Sequence, residues 1–128
     1  MKPEYQNVRF RAEIPETLLS RAFGVITACN PDGITVSDAE NETATQKLES
    51  DLLHEGLVHF PVTGGSPDFS HAEPGFGVVW DSPDEAVAWG RKFRQEAVFW
   101  IEDGLVHIVS CFDDQSIFVG RWQVLCGL

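Results

Sequence analysis

The chain has 128 residues, of which 43% are hydrophobic, and it carries 20 acidic against 9 basic residues. A chain of this length buries one hydrophobic core, so we expect a single domain over residues 1–128. The formal net charge of −11 repels phosphate backbones and anionic lipid head groups, which argues against nucleic-acid and membrane partners.

The first predicted elements are a short strand, a turn and a buried strand. Residues 8–12 predict an edge strand, and residues 15–22 predict a turn or one to two helical turns. Residues 23–29 form an unbroken apolar run that is typical of a buried strand. This strand closes at Asn30-Pro31-Asp32-Gly33, where proline fixes φ and glycine supplies a positive φ.

A helix is predicted from Ser37 to about residue 55. Ser37 and Glu40 form a capping box, in which a hydroxyl and a carboxylate each bind an otherwise unpaired backbone N–H. The apolar stripe of the helix, extended backward, places Asn41 and Thr45 on the inward face. These two side chains either form hydrogen bonds with the neighbouring turn or line a polar crevice, and the sequence leaves both interpretations open.

Two strands separated by a long connection come next. Residues 57–62 predict a strand, and Pro61 favours a position at a sheet edge or at a strand end. Residues 63–75 are rich in Gly, Pro and Ser and predict a long loop of a kind that often carries function. Residues 76–80 predict the following strand.

The C-terminal third predicts a second helix and three further strands. Ser82 and Glu85 form a second capping box, with proline at the first helical position. The buried stripe of this helix is expected to contain Ala86, Trp89, Gly90 and Phe93. Strands are predicted over residues 96–101 and 105–111, joined by a tight Asp-Gly hairpin. The last strand covers residues 116–119, with residues 121–128 as its extension.

The element order from residue 23 onward is strand, helix, strand, strand, helix, strand, strand, and it predicts an α+β fold. We expect a ferredoxin-like βαββαβ sandwich with an additional C-terminal hairpin strand. Both helices then pack on one face of a mainly antiparallel sheet. The alternative is an α/β three-layer fold around a parallel sheet.

Cysteine usage and hydropathy indicate a reducing compartment. Cys29, Cys111 and Cys126 form neither a CxxC pair nor a zinc-like spacing with the four histidines, so we expect no disulfide, no metal and no cofactor. The N-terminus lacks an apolar signal core, and no apolar run approaches the roughly 20 residues that cross a bilayer. We therefore expect a soluble, unprocessed, cytoplasmic protein.

A first candidate site lies where the first buried strand meets the first helix. Thr27, Asn30, Ser37 and Asn41 can face one crevice, with Thr45 one turn further on. The free N–H groups of the helix N-terminus favour an anion, although acidic residues in the same turn already complement the helix dipole. We expect a small polar or anionic ligand at this crevice.

A second candidate is the loop that carries Asp68, His71 and Glu73 and that roofs the crevice in the binding hypothesis. Carboxylates and an imidazole suit metal binding or acid–base chemistry, but their spacing matches no metal motif. A solvated loop is the alternative interpretation.

Two single residues complete the candidates. Cys29 lies near a helix N-terminus, where a thiol pKa can be lowered, and it is either a nucleophile paired with a histidine or a small buried hydrophobe. The candidate partners of this thiol are His59, His71 and His107. Gln95 is expected at a helix C-terminal junction, away from the N-terminus of the first helix, where its amide caps carbonyls.

Several short motifs within residues 20–101 occur together. They are FGVITACNP at 23–31, SDAEN at 37–41, Leu48, PVTGGSPD at 61–68, EPGF at 73–76 and FRQEAVFW at 93–100. In these motifs the chain resembles a bacterial family known as domain of unknown function 3293. The resemblance implies a shared local architecture, and it implies no activity, cofactor or catalytic residue.

Together these observations favour a non-catalytic small-molecule-binding or regulatory protein with a polar crevice at the first strand–helix junction. One alternative is an acidic protein-interaction or inhibitor module, in which the carboxylates of the first helix dock a basic protein partner. Another is a small hydrolase or transferase that uses His71, Glu73 or Asp68. The sequence leaves open whether the chain is an enzyme.

Overall fold

The computed structural model describes residues 6–18 and 20–127. The strands and helices, in chain order, are β1 (Arg9–Ala12), β2 (Phe23–Thr27), α1 (Asp38–His54), β3 (His59–Gly65), β4 (Ala72–Val78), α2 (Pro83–Lys92), β5 (Ala97–Glu102), β6 (Leu105–Ser110), β7 (Ser116–Arg121) and α3 (Trp122–Leu125). Single 3₁₀ turns lie at Glu16–Leu18 and Pro31–Gly33. No helix within these described ranges has the length and apolar character of a membrane span.

The seven strands form one sheet in the order β1-β3-β4-β2-β5-β6-β7. Every ladder in it is antiparallel. The α+β prediction is therefore confirmed, and the parallel-sheet alternative is wrong. Leu48 and Leu52 of α1 join Ala86 of α2 in one apolar cluster with Ile26 and Val98 of the sheet.

The opposite face of the sheet is concave and holds a second apolar cluster. Phe10 of β1 and Phe99 of β5 lie four strands apart, a separation of roughly 19 Å in a flat sheet with strands about 4.8 Å apart. Their ring centroids are only 5.1 Å apart. Trp122 of α3 stacks on Phe10 at 5.0 Å and meets Phe23 at 5.2 Å. The sheet thus curls on itself, and α3 packs into the curl.

Gly77 of β4 permits this curvature. Phe60 of β3 pairs with Gly77, and a Cβ added at Gly77 would lie within 3.0 Å of three atoms of the Phe60 ring. Because Gly77 has no side chain, the ring lies across β4 and reaches Phe23 of β2, with the centroids 5.2 Å apart. The glycine thereby allows an aromatic contact between strands that are not neighbours.

The structure corrects the sequence prediction in the β3–β4 region. Pro61 was expected at a sheet edge or a strand end, and although β3 lies between β1 and β4, Pro61 is paired on the β4 side only, so its position is locally an edge. The ladder with β1 ends where Ala12 meets Val62, so the missing N–H of Pro61 interrupts no pairing with β1. The predicted long loop is mostly strand, since β3 continues to Gly65 and β4 begins at Ala72.

Helix boundaries follow the prediction more closely than helix caps do. Ser37 Oγ accepts a hydrogen bond from the Glu40 N–H at 3.1 Å, as predicted, but the Glu40 carboxylate binds the Ser37 hydroxyl and not a backbone N–H. The second capping box is not formed: Ser82 makes no side-chain cap, and the Glu85 carboxylate accepts from the Asp81 N–H at 3.1 Å. Of the predicted extension over residues 121–128, Arg121 continues β7, Trp122–Leu125 form α3 instead, and Leu128 lies outside the described residues.

Candidate functional site

A cavity of about 370 Å³ opens on the concave face, at the end of the sheet where β2 and β3 finish and β4 and β5 begin. Its floor is apolar and comes from five strands. The floor residues are Phe10, Val25, Val62, Phe99 and Ile108. Its rim is polar, and the side chains that contribute to it are Thr27, Asn30, Thr35, Ser66, His71, Glu73, Gln95 and Glu96. An enclosed apolar floor below a few convergent polar groups is the usual composition of a small-molecule site.

The structure divides the sequence-predicted site residues into two groups. The cavity is lined by Thr27, Asn30, His71, Glu73 and Gln95. The residues that do not line it are Ser37, Asn41, Thr45 and Asp68. The sequence thus indicated most of the polar rim, and the second group supports the rim from behind or closes a nearby turn.

The hydroxyl of Thr27 joins the end of β2 to the start of β4. Thr27 Oγ1 donates to the Pro74 carbonyl at 3.1 Å and accepts from the Cys29 N–H at 3.0 Å. Gly75, opposite Thr27 in the ladder, allows this approach, because a Cβ there would overlap the Ile26 carbonyl oxygen. The hydrogen of the Thr27 hydroxyl is therefore used within the protein.

Asn41 holds the turn that carries Asn30, and Thr45 bonds to Asn41 within α1. Asn41 Oδ1 accepts from the Asn30 N–H at 2.8 Å, and Asn41 Nδ2 donates to Asn30 Oδ1 at 3.0 Å. Asn30 has φ 48° and ψ 61°, a left-handed conformation that asparagine tolerates better than most residues. Thr45 Oγ1 donates to the Asn41 carbonyl at 2.8 Å. Asn41 thus satisfies the neighbouring turn and fixes Asn30 at the rim, whereas the hydroxyl of Thr45 is satisfied within the helix.

The same turn is bound to the segment that precedes β5. The Asp32 N–H donates to the Arg94 carbonyl at 2.7 Å, and the two side chains form an ion pair that raises the pKa of Arg94. Gln95 is only 8% exposed, and its Nε2 donates to the carbonyls of Cys29 at 3.1 Å and Phe93 at 3.2 Å. Gln95 caps carbonyls as predicted.

Gln95 was expected away from the N-terminus of the first helix, and the structure places it beside Cys29, at the start of the segment that leads into that helix. β2 and β5 are antiparallel neighbours, so the residues that enter β5 meet those that leave β2. The sequence order of the elements did not show which strands were adjacent. This pairing brings Gln95 beside Cys29 and Asn30 at the cavity.

The Cys29 thiol lies at the cavity wall in an environment that disfavours the thiolate. Burial raises the pKa of Cys29, a hydrogen bond with Thr27 opposes that shift, and the Glu73 carboxylate raises the pKa further. Among the described residues no hydrogen bond joins Cys29 to a histidine. His59 Nδ1 contacts the Leu57 carbonyl at 2.8 Å instead. The suggested lowering of this thiol pKa is therefore wrong.

The hairpin loop separates the three residues of the second candidate site. The Asp68 carboxylate accepts from Ser66 Oγ at 3.1 Å and from the Ser70 N–H at 3.0 Å, and these bonds, that of Ser70 first, lower the pKa of Asp68. His71 Nε2 and Glu73 Oε2 lie 3.3 Å apart at the rim. Across residues 6–18 and 20–127, no group of three His, Cys, Asp or Glu side chains could hold a metal ion.

The charges that line the cavity are mainly negative. Glu73 and Glu96 contribute carboxylates and His71 an imidazole, whereas no Lys or Arg is among the described lining residues. The first turn of α1 is also outside the lining. The expected preference for an anion at this helix terminus therefore has no counterpart in the cavity wall.

Part of the acidic surface of α1 is engaged within the protein. Asp51 accepts a hydrogen bond from Lys47 at 2.8 Å and forms an ion pair with Lys92 of α2 at 3.0 Å, and both ammonium groups lower the pKa of Asp51. Glu49 lies 3.7 Å from His59 Nε2. Asp51, with a side chain that is 13% exposed and two lysine partners, is less available to an external basic partner than its sequence suggests, whereas Glu49 remains 48% exposed.

Glu96 and the apolar floor were missed by the sequence analysis. Alternation along β5 places Ala97 and Phe99 on one face of the sheet, a signal present in the sequence. Nothing in that alternation indicates that the face encloses a cavity. The enclosure depends on the curl of the whole sheet.

A family model described as "Protein of unknown function (DUF3293)" matches residues 26–98, more than half of the chain. No curated protein and no solved structure matches the chain. The resemblance found in the short motifs is thus confirmed. The matched segment contains the complete polar rim, from Thr27 to Glu96.

Proposed function

We propose a function from geometry, since the chain belongs to the DUF3293 family and that family is described only as a protein of unknown function. The chain is a small-molecule-binding domain whose ligand occupies the cavity on the concave face of the sheet. The observation that carries this proposal is the combination of an apolar floor and a polar rim around about 370 Å³. This volume lies within the range of about 300–1,000 Å³ that is common for small-molecule pockets.

The arrangement of the strands supports a cavity in this position. We infer that residues 23–102 adopt a ferredoxin-like βαββαβ arrangement, since their strands lie in the order β3-β4-β2-β5 with antiparallel neighbours. β1 extends one edge of this unit, and β6 and β7 extend the other. The added strands lengthen the sheet and allow it to curl around its free face.

The rim is preorganised for binding. Asn30 is fixed by two hydrogen bonds with Asn41, and Gln95 is fixed by two backbone carbonyls. Thr27 is held at the Pro74 carbonyl. Side chains that are already ordered lose little conformational entropy when a ligand arrives, which favours affinity.

Binding is better supported than covalent catalysis. The raised pKa of Cys29 keeps this thiol protonated and poorly nucleophilic near neutral pH. The Asp68 carboxylate is used to close the hairpin loop. The hydrolase or transferase alternative then relies on His71 and Glu73 alone, and the His71 side chain is 69% exposed.

A thermal-shift screen tests the proposal. A library of metabolites is screened against the wild-type protein, against Ala97→Leu, and against Ala39→Leu as a control. Ala97 lines the cavity, so leucine there reduces its volume, whereas Ala39 is exposed on α1 and receives the same added carbons outside the cavity. A ligand at 100 times its Kd adds about 2.7 kcal/mol, enough for a Tm shift of several degrees.

We expect at least one compound that raises the Tm of the wild type and of Ala39→Leu and leaves Ala97→Leu unchanged. A library in which every hit stabilises Ala97→Leu as much as the wild type would show that binding occurs elsewhere. That result would refute the proposed site.

A further inference from the structure

We infer that the ligand of this cavity is a small organic cation: a primary ammonium group attached to a compact apolar body. This inference rests on the proposed function, and it adds the chemical class of the ligand. The ammonium group lies at the rim near Glu73, and the apolar body lies against the floor between Val25 and Phe99.

The charge of the cavity favours a cationic ligand. Glu73 lines the cavity, and no described lining residue is a lysine or arginine. The Glu73 side chain is 27% exposed, so its negative charge is only partly screened by water. An anionic ligand would be repelled here, and a cationic ligand is attracted.

Hydrogen bonding at the rim also favours a donor on the ligand. The Thr27 hydroxyl donates to Pro74, and Gln95 Nε2 donates to the carbonyls of Cys29 and Phe93. Among the described residues Asn30 Nδ2 is a rim donor that makes no hydrogen bond, and the Glu73 carboxylate is an acceptor that His71 Nε2 contacts at 3.3 Å through one oxygen. An ammonium group supplies three N–H donors and no acceptor, which suits the other oxygen of this carboxylate.

Nearby cations do not change this argument. The Arg94 guanidinium is paired with Asp32, and the Arg11 guanidinium lies 3.8 Å from the centre of the Phe69 ring. Neither arginine lines the cavity. Among the described lining residues, His71 is the one side chain that can act as a charge-assisted donor, and its Nε2 lies 3.3 Å from Glu73 Oε2.

The shape of the floor also favours this ligand. Phe10 and Phe99 meet edge to face with their ring centroids 5.1 Å apart, and Val25, Val62 and Ile108 complete the apolar surface. Burial of a hydrocarbon group against this surface favours binding, whereas burial of a second, unpaired charge there opposes it. A single charged end on an apolar body fits both parts of the site.

Three probes of similar size and different charge test the inference. They are 2-phenylethylamine, which is an ammonium at pH 7, the neutral 2-phenylethanol, and the anionic 3-phenylpropionate. Kd is measured for each by NMR titration with the wild type, with Glu73→Gln and with Glu42→Gln. Glu42 is exposed on α1 and is not among the lining residues, so its variant controls for the change in net charge.

We expect the ammonium probe to bind the wild type and Glu42→Gln at least about tenfold more tightly than the alcohol, as for a hydrogen bond with a charged partner. The anion should bind most weakly. Glu73→Gln keeps the size of the side chain and removes its charge, so it should abolish the preference. A wild type that binds the alcohol or the anion as tightly as the ammonium, or that binds none of the three, overturns the inference, as does a preference that survives in Glu73→Gln.

The two proposals fail in different ways. If a neutral or anionic compound binds the wild type and loses affinity in Ala97→Leu, the cavity is a binding site and only the ligand class is wrong. If no compound of the screen responds to Ala97→Leu, the proposed function itself is refuted.

Discussion

Replacement of Gly77 by alanine tests the curl of the sheet on which the cavity depends. An alanine Cβ at Gly77 would lie within 3.0 Å of three atoms of the Phe60 ring, whereas ordinary carbon contacts are about 3.5–4.0 Å. The ring must therefore retreat by roughly 1 Å, and overpacking of this kind typically costs about 1–3 kcal/mol. Alanine also lowers the conformational entropy of the unfolded chain, which raises the free energy of unfolding by about 0.4–1 kcal/mol. The expected net loss in the free energy of unfolding is about 1–2 kcal/mol.

Gly64→Ala is the matched control on the adjacent strand. A Cβ at Gly64 would lie 3.7 Å from the Phe10 ring, an ordinary contact, so this variant should be as stable as the wild type or more stable. Phe60→Leu removes the atoms that oppose the Gly77 Cβ, and the cost of Gly77→Ala should fall by about 1 kcal/mol or more in that background.

Urea unfolding followed by tryptophan fluorescence measures these differences, since Trp122 lies in the affected cluster. The reasoning is refuted if Gly77→Ala is as stable as Gly64→Ala. It is also refuted if Phe60→Leu leaves the cost of Gly77→Ala unchanged, because the Phe60 ring is then not the opposing group.

Two further predictions concern the rim and the thiols. Asn41→Asp keeps the oxygen that accepts from the Asn30 N–H but turns a second acceptor toward Asn30 Oδ1, so we expect a loss of about 1–3 kcal/mol in urea unfolding. Gln46→Glu, which adds the same charge on the exposed side of α1, should cost less than about 0.5 kcal/mol, and equal losses would contradict the proposed role of Asn41. Burial raises the pKa of Cys126 to about 11, so the folded protein retains a proton that the unfolded chain loses above about pH 8.5. The contribution of this thiol to the free energy of unfolding is complete below that pH and is lost as pH rises toward 11. Cys126→Ala should therefore make the free energy of unfolding fall less steeply between these pH values. If the variant and the wild type lose stability identically with pH, the raised pKa of Cys126 is refuted.

The parts of the fold that were predicted correctly depend on local chemistry. The first helix begins at the Ser37 cap because a hydroxyl can bind a nearby backbone N–H within the same turn. The hairpin between β5 and β6 follows from Asp103 and Gly104, which have φ 53° and φ 74°. Signals of this kind are contained in a few consecutive residues, so they can be read without knowledge of the tertiary structure.

The parts that were not predicted depend on residues distant in sequence. Gly64, Gly65 and Pro74 are poor strand formers, yet pairing between β3 and β4 extends through all three. The position of Gln95 depends on the pairing of β2 with β5. The cavity requires Phe10 and Phe99 to meet across a curled sheet. Periodicity assigns residues to faces, but it does not specify how strongly a sheet bends.

The central position of β2 has a consequence for the folding pathway. The β3–β4 and β5–β6 hairpins close over short loops, whereas β2 pairs Ile26 with Phe76 and Val25 with Phe99 across much longer stretches of chain. Because the entropy cost of closing a loop grows with its length, we expect the two hairpins to form early and β2 to insert between them late. The cavity has walls on both sides of β2, so it exists only after this insertion. A bound ligand should then slow unfolding and leave refolding unchanged, and a refolding rate that rises with ligand in stopped-flow traces would show that the cavity forms earlier.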